Sequence, residues 1–400
     1  MKALVLGSDT PIGLTIIREL GAHGVEVEAI GRSGRSIGGA SRFATKEHVR
    51  PQGAIDQWVP QLIRQSGADA LLAVSESDLL ELSALPRLIE NCHILTPRPG
   101  PLAQVLDKSV TLALGRSLKM DVPISWQPVQ GEDFAARTQS FDYPVILKWA
   151  DPPRLAPMLA ERGLTFLKAE YANDESALLA ALSRYDGLAR WPLVQTYCPG
   201  VGIGQMIHMS GGQATLRFQH LRLHEWPPEG GVSTLCRSVP ITEHSAQMIQ
   251  SEALLRAFDW DGPAMVEYRH DPATGRYWLM EVNGRFWGSL PLASASGAEF
   301  AWESFRRSVL RETATAPVPR TDLRARYMIP ESRRLVRVVF QEQAIRDSSF
   351  RRRPWAETLD YFLEFFNFRT RYYVFRFDDP RPLICDFANI VRKLWSREQG

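Results

Sequence analysis

Glu267, Glu281 and Asn283 are the residues of this chain whose types and spacing point most directly to chemistry. Apolar runs at 264–268 and 277–282 flank the breaker cluster Asp271-Pro272-Ala273-Thr274-Gly275, which is a hairpin signal. A turn centred near Thr274 sets Glu267 opposite Glu281, and period-two alternation puts Asn283 on the face of Glu281. Two carboxylates facing each other across a ladder repel unless something positive lies between them. A divalent cation meets that need. Oxygen-only ligation by two carboxylates and an amide, with Arg285 close by, suits Mg²⁺ that is also bound to substrate phosphates. Either glutamate alone reads as an ordinary solvent-facing strand residue; the set does not.

Other candidates are weaker one by one. Lys148 ends the apolar strand 144–149, on the face opposite Val145, Leu147 and Trp149. An ammonium there needs a partner, and a phosphate is a natural one. Asp107-Lys108 lies on a helix expected over 102–119, and Gln195-Thr196-Tyr197-Cys198-Pro199-Gly200 forms a hinge whose main chain can bind a purine edge. His220, Arg222 and His224 share one face of a strand and suggest an anion-facing wall, with a half-exposed polar face as the alternative. A zinc site at the two histidines lacks a third ligand at suitable spacing. The loop from Gly7 to Gly13 lacks the middle glycine of a dinucleotide fingerprint, and Arg32 stands where an acid would hold an NAD ribose. An NADP site remains open there; the plain reading is a tight turn.

The elements that position these residues follow from periodicity. Strands at 2–7, 25–30 and 69–74 alternate with helices at 11–20 and 58–65, implying a parallel sheet with covering helices over residues 1–98. After the proline-rich break at 96–101, residues 99–198 read as a linker helix and a small lobe, 199–312 as a larger lobe, and 313–400 as an extension. Helices are expected at 174–185 and 299–310, a strand at 191–197, and a polar stretch with Pro and Arg at 150–163.

A chain of 400 residues with 44% hydrophobic content supports two or three compact units. Its net charge of +2 makes no whole-protein case for nucleic acid. The charge is uneven: from Ala316 onward 17 Lys/Arg face 11 Asp/Glu, leaving the tail at +6 and the rest at −4. The N-terminal apolar run is too short for a signal peptide, and no stretch approaches the roughly 20 apolar residues of a membrane span. Four cysteines without CxxC spacing suggest neither a disulfide framework nor a zinc site. A soluble cytoplasmic protein is expected, compatible with a homodimer. In the tail, Leu383/Ile384, Phe387, Ile390/Val391 and Leu394/Trp395 follow helical spacing, with Arg392, Lys393 and Arg397 off that face. The favoured reading docks this stripe on the protein's own body; the other lays it on an anionic membrane.

The order of Asp107-Lys108, Val145-Ile-Leu-Lys148, Gln195-x-Tyr-x-Pro-Gly200, Gly230-Gly-Val-Ser233, Val266-Glu267-Tyr-Arg269 and Leu279-Met-Glu-Val-Asn-Gly-Arg-Phe-Trp-Gly-Ser-Leu290 resembles the ATP-grasp superfamily. Within it, the nearest likeness is to carboxylate–amine ligases with a carbamoyl-phosphate-synthase-like ATP-binding core, over residues 1–312. The resemblance implies an α/β protein: an ATP-grasp fold preceded by a Rossmann-like parallel-sheet domain and followed by a C-terminal extension. It implies ATP and one or two Mg²⁺ as cofactors, with Mn²⁺ as an alternative ion, and a small-molecule carboxylate and amine as substrates. Lys108 and Lys148 would contact the phosphates, and Gln195, Thr196, Tyr197 and Cys198 would line the adenine. Glu267, Glu281 and Asn283 would hold the metal, Arg285 would meet the γ-phosphate, and Arg222 would face the substrate carboxylate. The implied activity is ligation through an acyl phosphate; the alternatives are a phosphotransferase or a non-catalytic ATP-binding module. Three departures stand out: Thr196 where Glu is frequent, Gly284 for the frequent Pro, and no glycine-rich loop at 150–163, which offers Arg154 and Arg162 instead.

Overall fold

The computed structural model describes all residues except 150, 151, 168, 229, 314, 316, 346–349 and 399–400. Its first sheet has six strands, in the order Ala44–Val49, Glu26–Gly31, Lys2–Leu6, Ala70–Ala73, Cys92–Ile94 and Leu88–Ile89. Every pairing is parallel except the last. Leu4 and Val5 are both fully buried although they point to opposite faces, as a parallel sheet covered on both sides requires. The turn after the first strand closes on itself. Thr10 Oγ1 accepts from Gly13 N at 3.1 Å and donates to the Gly7 carbonyl at 2.9 Å. The Asp9 carboxylate accepts from Arg32 N at 2.9 Å, and a Cβ on Gly13 would lie 2.4 Å from Gly7 O. The tight-turn reading holds.

The second sheet is antiparallel with four strands, ordered Ser125–Trp126, Leu193–Thr196, Val145–Lys148 and Glu170–Ala172. Val145, Leu147 and Trp149 turn towards a core with Leu178, Leu182, Trp191 and Val194, leaving Lys148 on the other face. The third sheet has seven strands: Arg276–Asn283, Gly262–Asp271, Val201–Ser210, Gln213–Trp226, Val232–Ser238, Arg324–Arg326 and Thr370–Tyr372. Its last two strands come from the C-terminal segment. One hydrophobic cluster joins Leu4, Trp58 and Leu71 to Ile203, Val266, Tyr268 and Leu279, so the first and third sheets share a core.

Three expectations are corrected. Residues 102–119 are two helices, Pro99–Leu106 and Lys108–Ser117, because Asp107 leaves helical geometry (φ −85°, ψ 108°) and caps the second through Ser109 N and Val110 N. The polar stretch at 150–163 contains a helix, Pro152–Glu161. Leu159 is buried in the small lobe's core and Leu155 packs against it, an i,i+4 pair obscured in the sequence by Pro157. The apolar stripe of the last helix, Arg381–Glu398, is only partly docked. Leu383 packs inward, whereas Ile384, Phe387, Val391 and Trp395 are exposed.

Candidate functional site

Register in the hairpin is as the turn residues require: Glu267 pairs with Glu281 and Met265 with Asn283, with a bulge after Glu267. Asn283 Nδ2 donates to Glu281 Oε1 at 3.3 Å. The positive charge that two facing carboxylates need is supplied by side chains from elsewhere. Lys108 Nζ donates to Glu281 Oε2 and Arg222 Nη2 to Glu267 Oε2. Lys108 reaches Glu281 because the chain breaks at Asp107 and places it in the first turn of the new helix. Burial works against its ammonium, but Glu281, with help from Glu267 and Glu76, outweighs burial and holds the pKa above the usual lysine range.

Arg222 lies across the neighbouring strand. A Cβ on Gly202 would come within 2.8 Å of Arg222 Cδ, and one on Gly204 within 2.7 Å of His220 Nε2. These two glycines are strand positions that make room for side chains from the next strand. Arg222 Nη1 also donates to Glu225 Oε1 at 3.0 Å and to the Gly231 carbonyl at 3.3 Å, and Arg269 pairs with Glu225 at 3.3 Å. Burial opposes the Arg222 charge, yet Glu267 and Glu225 keep it firmly protonated.

Lys148 stands apart from these pairs. Among the described residues it makes no hydrogen bond or ion pair, while Lys108 repels it and Glu281 and Glu267 partly support it. Burial pushes its ammonium down to about 8. A partly desolvated cation beside paired acids is a receptor for added negative charge.

The expected basic wall does not form. His220 is buried, shares a hydrogen bond with Ser289 Oγ at 2.9 Å, and is pushed down to about 3 by burial, so it is neutral. His224 pairs with Glu331 at 2.6 Å, and register shifts on either side of it break the alternation. Arg222 alone keeps the expected character. In the hinge, Gln195 is buried and donates to Ser125 Oγ at 3.0 Å. Thr196 exchanges bonds with Ile124: its N–H donates to Ile124 O, and its hydroxyl accepts from Ile124 N. Tyr197 N donates to Pro144 O at 3.3 Å. Burial pushes the Cys198 thiol up to about 11. The Thr196 side chain is thus a sheet-closing group.

Arg285 does not stand free: its Nε donates to Glu76 Oε1 at 2.8 Å. Glu76 opens the helix Glu76–Ser83, capped by Ser75, whose Oγ accepts from Asp78 N at 3.1 Å. Gly284 is explained by Trp260, whose ring would meet an added Cβ at 2.5 Å. Behind Arg285 lies a cavity of about 330 Å³ between the first and third sheets, also lined by Arg87, His93, Phe286 and Arg307; Glu267 and Glu281 are outside it. Arg162 Nη1 donates to Gly187 O at 2.9 Å, so it serves the small lobe and does not reach the acids. The side chain of Arg154 lies outside the described residues, as does that of Arg397.

Sequence reasoning assigned no role to Glu225 or Arg269, and Ser75-Glu76 at a strand end gave it only a vague hint of a substrate pocket. The Ser-x-x-Asp cap at Ser75 was a usable signal for the Glu76 helix; nothing local marks Glu225.

Donor chemistry tests whether a metal suits this place. Two carboxylates and a side-chain amide, whose oxygen can be presented by turning the group over, make a hard-oxygen set that fits Mg²⁺.

A small antiparallel lobe and a larger antiparallel lobe bearing the acids make up the ATP-grasp fold, and this chain has it, preceded by a largely parallel sheet. By sequence, no family model and no curated protein matches. Solved structures do. The biotin carboxylase domain dimer of Hydrogenobacter thermophilus 2-oxoglutarate carboxylase, in complex with MgADP, ADP and bicarbonate, has a TM-score of 0.61 at 13% identity, covering 81% of this chain and 73% of that one. The ADP complex of purK, an N5-carboxyaminoimidazole ribonucleotide synthetase, has a TM-score of 0.59 at 13% identity, with 80% and 78% covered. The L-amino acid ligase from Bacillus licheniformis has a TM-score of 0.55 at 14% identity, with 77% and 73% covered.

Proposed function

We propose that this chain is an ATP-dependent ligase that activates a carboxylate as an acyl phosphate and joins it to an amine. The observation carrying the reading is the convergence of Glu267, Glu281 and Asn283 with Lys108, Lys148 and Arg222, contributed by four separate segments. The ADP complexes named for neighbours of this fold support the nucleotide assignment.

Mg²⁺, held by Glu267, Glu281 and Asn283, would supply neutralising charge for phosphate oxygens. Lys148, which has no partner among the described residues, takes the phosphates most readily; Lys108 must share its hold on Glu281 to join it. Arg222 orients the substrate carboxylate through whichever guanidinium edge Glu267 and Glu225 leave available. A carboxylate oxygen attacks the γ-phosphorus, the bond to ADP breaks, and the acyl phosphate forms. Arg285, steadied by Glu76, faces the charge of the transferred group. The amine nitrogen then attacks the acyl carbon and phosphate leaves, the amine giving up a proton. Positioning and charge stabilisation supply the acceleration, since phosphoryl transfer asks little covalent work of the protein.

The test is ADP release across a panel of carboxylates and amines. Turnover requiring both supports ligation; a stable phosphorylated product formed without amine means a phosphotransferase. Glu281→Gln should cut turnover by at least about a hundredfold, measured below its melting temperature, which falls because Lys108 loses its acid. Normal ADP release by that variant would remove Glu281 from the site.

A further inference from the structure

In the C-terminal segment the exposed face of two helices is the apolar one. Helix Pro354–Leu363 turns polar groups inward: Glu357 pairs with Arg334, and Tyr361 bonds Ser332 at 2.7 Å with its ring 4.0 Å from the Arg326 guanidinium carbon. Its outward stripe is Trp355, Leu359 and Phe362, continued by Phe366 at the same helical spacing; Trp355 is 89% exposed and Phe366 76%. Helix Arg381–Glu398 repeats the pattern. Cys385 and Asn389 point inward to the Arg35 carbonyl, at 3.3 and 2.9 Å, while Ile384, Phe387, Val391 and Trp395 are exposed. A helix docked on a water-soluble body normally does the reverse.

These stripes are not scattered surface residues. Every Phe and Trp exposed among the described residues lies at or beyond Phe340. The exposed rings of Phe365 and Phe377 are joined through Tyr372 (6.3 Å from Phe365) and Phe375 (6.4 Å from Tyr372 and 4.9 Å from Phe377), so apolar surface continues beyond the helix.

Charge decides what covers it. Glu331, Glu342, Glu357, Glu364, Asp378 and Asp379 are spent in ion pairs within the protein. Arg351, Arg353, Arg369, Arg371, Arg381 and Arg392 are exposed. A second copy of this face would set arginine against arginine, which disfavours self-pairing. Aromatic tips among arginines match an anionic bilayer interface, where rings enter the headgroup region and guanidinium groups meet phosphates. No helix among the described residues is long and apolar enough to cross a membrane, so the contact is with one surface.

We propose that helices Pro354–Leu363 and Arg381–Glu398 attach this protein peripherally to an anionic lipid surface through their outward stripes. The proposal is independent of the ligase reading.

The experiment is flotation of the full chain with vesicles of phosphatidylcholine alone or mixed with phosphatidylglycerol at roughly 3:1. Binding to the mixed vesicles alone, weakened by salt, is expected. The Trp355→Ser/Phe362→Ser/Phe366→Ser variant should lose on the order of tenfold in partitioning with an unchanged melting temperature, since all three side chains are exposed. No binding to the mixed vesicles overturns the proposal. So does binding that the triple variant leaves intact. A dimer in light scattering that the triple variant dissociates, without vesicle binding, reassigns the face to a second copy.

Discussion

Replacing Glu19 by Gln should relieve a penalty that grows with pH. Glu19 lies in helix Pro11–Ala22, 2% exposed, where its Oε2 accepts from Ala301 N at 2.8 Å and Trp302 N at 3.3 Å. It thereby ties the first sheet's helix to the start of helix Phe300–Phe305. Burial, with repulsion from Glu299, overrides those two bonds and pushes the carboxyl from 4.5 up to about 8. Between these values the folded chain holds a proton that the unfolded chain has released, so stability falls as pH rises. At about 1.36 kcal/mol per unit, the loss between pH 5 and pH 8 comes to about 3–4 kcal/mol. Glutamine keeps an oxygen for the two N–H donors and does not titrate. Urea unfolding of both proteins at stepped pH, followed by tryptophan fluorescence, gives the difference directly. His208, pushed down to about 4 by burial, adds a slope of opposite sign below pH 6.5, but it is common to both proteins and cancels. A difference that stays flat from pH 5 to pH 8 would refute the reasoning, because a solvated or ion-paired Glu19 would behave that way.

Two further outcomes follow from the geometry. Lys148→Met should weaken MgADP binding by roughly 10- to 100-fold in calorimetry, the worth of one charge-assisted contact. The same variant should melt no lower than the parent, since it removes a desolvated ammonium that lacks a partner among the described residues; undiminished affinity would place the phosphates elsewhere. Gly284→Ala should cost about 1–3 kcal/mol in a melt, because the added Cβ would meet the Trp260 ring at 2.5 Å; an unchanged melting temperature would mean that Trp260 yields.

Much of the acidic hairpin could be read in advance because its determinants are local. Asp271 to Gly275 specify where the chain turns, and alternation then decides which residues face each other. Lys148 was legible for a similar reason: a charge interrupting a strand apolar on both faces is conspicuous without knowing its neighbours. The break at Asp107 could have been read from Asp-x-Ser capping chemistry but was hidden by apolar spacing that continues across it. Glu225 and Arg269 could not be found this way, since Glu225 matters through its contact with Arg222 and Arg269 through its contact with Glu225.

The sequence by itself determined the alternation of strands and helices, the hairpin register and the facing of its two acids, all products of steric and hydrophobic preferences acting over a few residues. Tertiary structure alone decided the protonation and pairing of the charged groups. His220 became a buried neutral ring beside Ser289, Arg285 was tied to Glu76, and the apolar stripes of the last helices turned outward. Charge state depends on desolvation and on cations or acids brought from distant segments, and those energies exist only once the chain has closed around them.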